Sequence, residues 1–127
     1  MKKFGVTLLA AVALSIGFSS PALAIPGFKK AFDDRYPELK SVSDEQKCNL
    51  CHFGKSKKNK NDYGLALSEL LKKDNFKEER VKAEPDKVKA EYDAAFKKVE
   101  EGKSKGGETF GERLKAKKAP GTPEAGA

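Results

Sequence analysis

The run Cys48-Asn49-Leu50-Cys51-His52 constrains this chain more than any other feature, because it holds both cysteines and the only histidine of the 127 residues. Two thiols three positions apart on one helical turn can add across the two vinyl groups of a haem. The adjacent imidazole then lies under the iron and supplies the proximal nitrogen. This is the attachment pattern of haem c, with Cys48 and Cys51 as the anchoring thiols and His52 as the iron ligand. The rest of the chain is therefore expected to fold as packaging for one covalently held haem.

Other readings of the same run explain less. A structural disulfide suits an oxidising compartment but leaves His52 to chance. A thioredoxin-like redox pair belongs at a strand-to-helix junction, and the surrounding sequence carries no βαβ pattern. A tetrahedral zinc site needs four ligands, and with no further cysteine or histidine only carboxylates could complete it.

The chain opens Met1-Lys2-Lys3, continues with an apolar run from Phe4 to Phe18, and reaches Ala22-Leu23-Ala24 just after Pro21. A basic start, a short apolar core and an Ala-x-Ala exit read as a secretory signal peptide over residues 1–24, cleaved after Ala24. The apolar run is short for a membrane span, so no stable span is expected once the leader has gone. A periplasmic or secreted location follows. The processed chain, from Ile25 onward, has the length of one small domain, and a haem would supply apolar surface that such a domain otherwise lacks.

The formal net charge is +7, of which Lys2 and Lys3 account for two, so the processed chain carries about +5. A positive field favours acidic partners. Nucleic acid is not expected, because an exported protein rarely meets it and no stacking aromatics are interleaved among the lysines.

Helical spacing recurs along the processed chain, and no segment alternates cleanly as a strand. Pro26 is placed to open a first helix, with Phe28, Ala31, Phe32 and Tyr36 on one face and Pro37 ending it. Ser43-Asp44-Glu45-Gln46 reads as a capping box, which predicts that the helix it opens carries both cysteines. A polar loop follows from Gly54 to Asp62, then a helix over about 63–73 with Tyr63, Leu67, Leu70 and Leu71 inward. Asp74-Asn75 breaks it, and a short element holding Phe76 and Val81 leads to Pro85. Pro85 starts a long helix striped by Val88, Tyr92, Ala95, Phe96 and Val99. Gly102 to Gly107 is a break, and Thr109-Phe110-Gly111-Glu112 is a second capping box, opening a last helix with Phe110 and Leu114 inward. The domain is expected to span 25–119, and the tail 120–127, rich in Pro, Gly and Ala, to be disordered.

The Cys48–His52 run followed by Asn61-Asp62-Tyr63-Gly64-Leu65-Ala66-Leu67 resembles small exported bacterial monohaem cytochrome c domains. In these a Cys-x-x-Cys-His run precedes an Asn-x-Tyr-Gly segment that opens the next helix. The similarity covers about 43–71, and Thr109 to Lys115 looks like the closing helix of such proteins. The resemblance implies an all-α, cytochrome c-like domain packed around one haem, engaged in electron transfer outside the cytoplasm.

The chain departs from ordinary carriers on the far side of the iron, where a methionine or a second histidine usually binds. Its only methionine is Met1, and His52 is committed to the proximal side. Four arrangements remain. The position is open, and able to take a diatomic gas such as nitric oxide or carbon monoxide. A neutral lysine fills it. A tyrosine phenolate fills it, Tyr63 or Tyr92 being the candidates. Or it is completed by the new amino terminus at Ile25 or by another chain of a hetero-oligomer. Packing on a helix face is the ordinary role for either tyrosine. Lys55, Lys57, Lys58 and Lys60 follow His52 closely and form a basic rim suited to an acidic redox partner. The acidic residues of the long helix alternate with lysines as a solvated face. No serine nucleophile motif or phosphate-binding loop is present, so an enzyme active site of the chain's own is not expected.

Overall fold

A computed structural model of the chain describes residues 27–56 and 58–124. The proposed leader, its cleavage point and Pro26 lie outside the described residues. Among the described residues six α-helices carry the fold: α1 (Phe28–Arg35), α2 (Lys40–Gln46), α3 (Asp62–Leu70), α4 (Glu78–Ala83), α5 (Pro85–Glu100) and α6 (Phe110–Lys115). The described residues contain no strand, only two isolated bridges, His52 with Lys60 and Lys103 with Thr109. The all-α expectation therefore holds.

The architecture is organised by α5, which packs against α1, α3, α4 and α6. Pro85 occupies its first turn, where the missing N–H costs nothing. The predicted stripe Val88, Tyr92, Ala95, Phe96 and Val99 is buried throughout. Phe96 is fully enclosed and lies 5.3, 6.0 and 5.9 Å from the rings of Phe28, Phe32 and Tyr36. That cluster fixes α1 against α5; enclosing a side chain of this kind contributes roughly 1.5–3 kcal/mol. At the other end, Tyr92 stacks on Phe76 at 5.0 Å, which seats the 3-10 turn Lys73–Phe76 and α4 behind it.

Sequence and structure part at the segment before the cysteines. Ser43 to Gln46 do not open a helix; they are the second half of α2, which grows out of a 3-10 turn over Pro37–Leu39. The capping groups are spent elsewhere. Ser43 is fully buried, with Leu39 one turn before it. Asp44 accepts from Lys29 at 2.8 Å and Lys40 at 2.9 Å, and these two lysines hold its carboxyl down at about 2. Lys47 then takes φ +50° and ends α2 immediately ahead of Cys48. Cys48 therefore lies in a 3-10 turn, Lys47–Leu50, and Cys51 just beyond it.

The tail is a second departure. Pro120 to Glu124, expected to be disordered, pack on the body of the domain: Pro120 and Gly121 are buried and Thr122 is bonded to Asp62. Two capping groups explain how this end is built. Thr109 and Glu112 form the predicted capping box of α6, and Lys117 at φ +56° turns the chain back toward α3.

Candidate functional site

The Cys48–His52 run is held from behind by the first turn of α3. Asn61 is its hub. The Asn61 main-chain N–H donates to Cys51 O at 2.9 Å, and its side-chain amide donates to Leu50 O at 3.0 Å and Asn49 O at 3.3 Å. Its side-chain oxygen caps α3 by accepting from Gly64 N at 2.9 Å. One buried asparagine thus joins three consecutive carbonyls of the run to a helix N-terminus. Gly64 allows the approach: a methyl there would sit 2.1 Å from Cys51 O. The Asn-x-Tyr-Gly block therefore belongs to the same site as the cysteines, through Asn61 and Gly64 rather than through the tyrosine.

From the other side Asn59 folds back onto the end of the run. Asn59 O accepts Phe53 N at 3.2 Å and His52 Nδ1 at 3.0 Å. A carbonyl can only accept, so Nδ1 carries the imidazole proton and the ring lone pair resides on Nε2. That is the tautomer a metal-binding histidine needs, and a carbonyl on the far nitrogen is the usual way of fixing it.

The cysteines differ. Both thiols are free; Cys48 is exposed, while Cys51 is partly buried and packs on the core. Burial, with a smaller contribution from Cys48, pushes the Cys51 thiol up to about 12. Thiol–disulfide enzymes do the opposite, lowering a cysteine with a helix N-terminus or a cation. The Cys51 thiol itself is therefore a weak nucleophile at neutral pH. No group of three or more His, Cys, Asp or Glu side chains suited to a metal ion occurs among the described residues.

Both candidate tyrosines are core residues. Tyr63 is fully buried, edge-on to Phe110 at 5.4 Å, and its hydroxyl has no hydrogen-bond partner among the described residues. Burial raises its phenol well above the ordinary value, with Cys51 contributing next. Tyr92 sits between Phe76 and Phe28, and burial pushes it up to about 12. Phenolate is costly at either position.

A groove of about 550 Å³ runs between the end of α3 and α5, floored by Leu71, Phe76 and Ala95. A second of about 230 Å³ lies between α1, α4 and α5 beside Tyr92. Neither is lined by Cys48, Cys51 or His52. The donor set of the run fits a covalently held haem, whereas the apolar bed such a group requires is not formed by either groove.

Sequence reasoning missed a polar cluster on the far side of the core. Arg35 donates to Glu100 Oε1 from Nη2 at 2.9 Å, and the Tyr36 hydroxyl donates to the same oxygen at 2.5 Å. It ties the end of α1 to the end of α5, and no spacing rule links residues so distant in the chain. In the lysine loop Lys55 and Lys58 are exposed and Lys60 is half-buried, while Lys57 lies outside the described residues.

No protein-family model matches this chain, and neither a curated protein nor a solved structure matches it.

Proposed function

We propose that the chain is a monohaem c-type cytochrome, working outside the cytoplasm as a one-electron carrier between larger redox proteins. The observation that carries this reading is the bond from His52 Nδ1 to Asn59 O, in a loop that Asn61 also ties to Cys51. A histidine fixed with its lone pair on Nε2, directly after two free thiols, is the donor set for covalent haem attachment. Bound haem supplies a one-electron couple. The chain's own part is to hold the imidazole in one tautomer, anchor through Cys48 and Cys51, and present a basic rim to the partner.

A second reading is favoured by the state of the tyrosines. Tyr63 and Tyr92 are both held neutral by burial, which weakens them as distal ligands and supports an open position able to take nitric oxide or carbon monoxide. The signal-peptide pattern of residues 1–24 supports a periplasmic or secreted location. Among the described residues no helix is long and apolar enough to cross a membrane.

The test is a haem stain on a denaturing gel together with absorption spectra. Stain should follow the wild-type band and vanish from the C48S/C51S double variant; stain persisting in that variant would refute attachment. A low-spin reduced spectrum indifferent to carbon monoxide is the carrier's signature. A high-spin spectrum that shifts fully would move the assignment to gas binding.

A further inference from the structure

The C-terminal segment does more than end the chain. Thr122 donates to both oxygens of Asp62, from its N–H at 2.7 Å and its hydroxyl at 2.6 Å. Lys105 N adds a third donor at 2.8 Å. Just before it, Gly121 lies flat on the Asn61 side chain, so closely that a methyl would fall 2.2 Å from Asn61 Nδ2. The strap is fastened on its other flank by Arg113, which donates to Ala119 O at 3.1 Å and Gly121 O at 3.2 Å, and by an ion pair between Lys105 and Glu124.

Asn61 is the residue through which the start of α3 grips the Cys48–His52 run, and Asp62 follows it directly in the chain. Asn61 has its amide, its side-chain oxygen and its main-chain N–H all engaged, so it cannot shift without moving the carbonyls of Asn49, Leu50 and Cys51. We propose that residues 120–124 form a strap that positions the Cys48–His52 run, with Gly121 and Thr122 acting through Asn61 and Asp62. Gly121 denies water to the Asn61 amide, and Thr122 fixes the neighbouring carboxylate. Burial alone would raise Asp62, but the donors from Thr122, Lys105 and Tyr63 outweigh it and hold the carboxyl below its ordinary value. The positioning itself does not require haem; only its effect on reduction potential rests on the reading proposed above.

The experiment compares full-length wild type with Thr122→Val, Thr122→Ser and Gly121→Ala by amide hydrogen exchange and, in the haem-loaded protein, by reduction potential. Thr122→Val and Gly121→Ala should speed exchange at the amides of His52, Asn61 and Gly64 by about tenfold or more, with α5 unchanged. Thr122→Ser, which keeps the hydroxyl, should restore wild-type exchange. The potential should move in Thr122→Val and Gly121→Ala and return in Thr122→Ser. Faster exchange confined to 120–124, or spread equally through α5, would overturn the proposal. So would an unchanged potential in a protein that stains for haem. Absence of stain in wild type would instead defeat the haem assignment, and the exchange comparison would still decide the strap.

Discussion

Gly64 shows how a missing side chain can position a site. Its Cα faces Cys51, and an added methyl would meet Cys51 O at 2.1 Å and Cys51 C at 2.9 Å, both backbone atoms that cannot rotate away. Gly64→Ala must therefore push the first turn of α3 off the run and weaken the bond from Asn61 N to Cys51 O. Overpacking of this kind costs about 1–3 kcal/mol, against about 1 kcal/mol that alanine gains over glycine inside a helix. The variant should melt several degrees lower, read by circular dichroism. Equal stability would mean that the close approach is absent. The sequence displayed Asn61, Tyr63 and Gly64 together, yet it drew attention to Tyr63, whose phenol has ligand chemistry. A glycine advertises nothing about what approaches it, and the partner here lies thirteen residues back. The Cys48, Cys51 and His52 pattern was visible because it is local in the sequence; the grip of Asn61 depends on tertiary contact.

The helices that were readable are those whose start signal and apolar stripe agree. In α5, Pro85 opens the helix and the stripe from Val88 to Val99 continues for about three turns. In α6, Thr109 and Glu112 cap one another, with Glu112 N donating to Thr109 Oγ1 at 3.1 Å and Thr109 N to Glu112 Oε2 at 2.7 Å. Thr109→Ala should cost about 1 kcal/mol, seen as a lower urea midpoint with an unchanged slope. No change would place the stability of α6 entirely in Phe110 and Leu114. The segment Ser43–Gln46 had an equally good signal and failed, because a capping residue works only if its side chain is left to the backbone. Ser43 is turned into the core and Asp44 is held by two lysines, so the helix containing them had already begun at Lys40. The tail misled for the opposite reason. Composition rich in Pro and Gly predicts weak intrinsic order, but Arg113, Asp62 and Lys105 supply donors and acceptors that no composition reveals.

Lysines that enter no ion pair flank the Cys48–His52 run, though among the described residues they are not confined to it. Lys29, Lys30, Lys40, Lys82, Lys87 and Lys89 each pair with an Asp or Glu, mostly one helical turn away. Lys47, Lys55, Lys58 and Lys60, which flank the Cys48–His52 run, enter no ion pair among the described residues. Pairing offsets the charge of those helical lysines, whereas the lysines beside the run, like Lys72, Lys73, Lys77, Lys97, Lys103, Lys115 and Lys117 elsewhere, have no carboxylate within ion-pair distance among the described residues. In the carrier reading proposed above, the lysines beside Cys48 and His52 would attract an acidic partner to that end. Such attraction acts on encounter and fades as the Debye length falls from about 10 Å at 0.1 M salt to about 3 Å at 1 M. Reduction by an acidic redox protein should accordingly slow as salt rises. Charge reversal at Lys57 and Lys58 should slow it at low salt and flatten the salt dependence. The same reversal at Lys87 and Lys89, which already have carboxylate partners, should change it far less. Equal losses from the two pairs would assign the effect to net charge alone, and the basic loop would then have no part in docking.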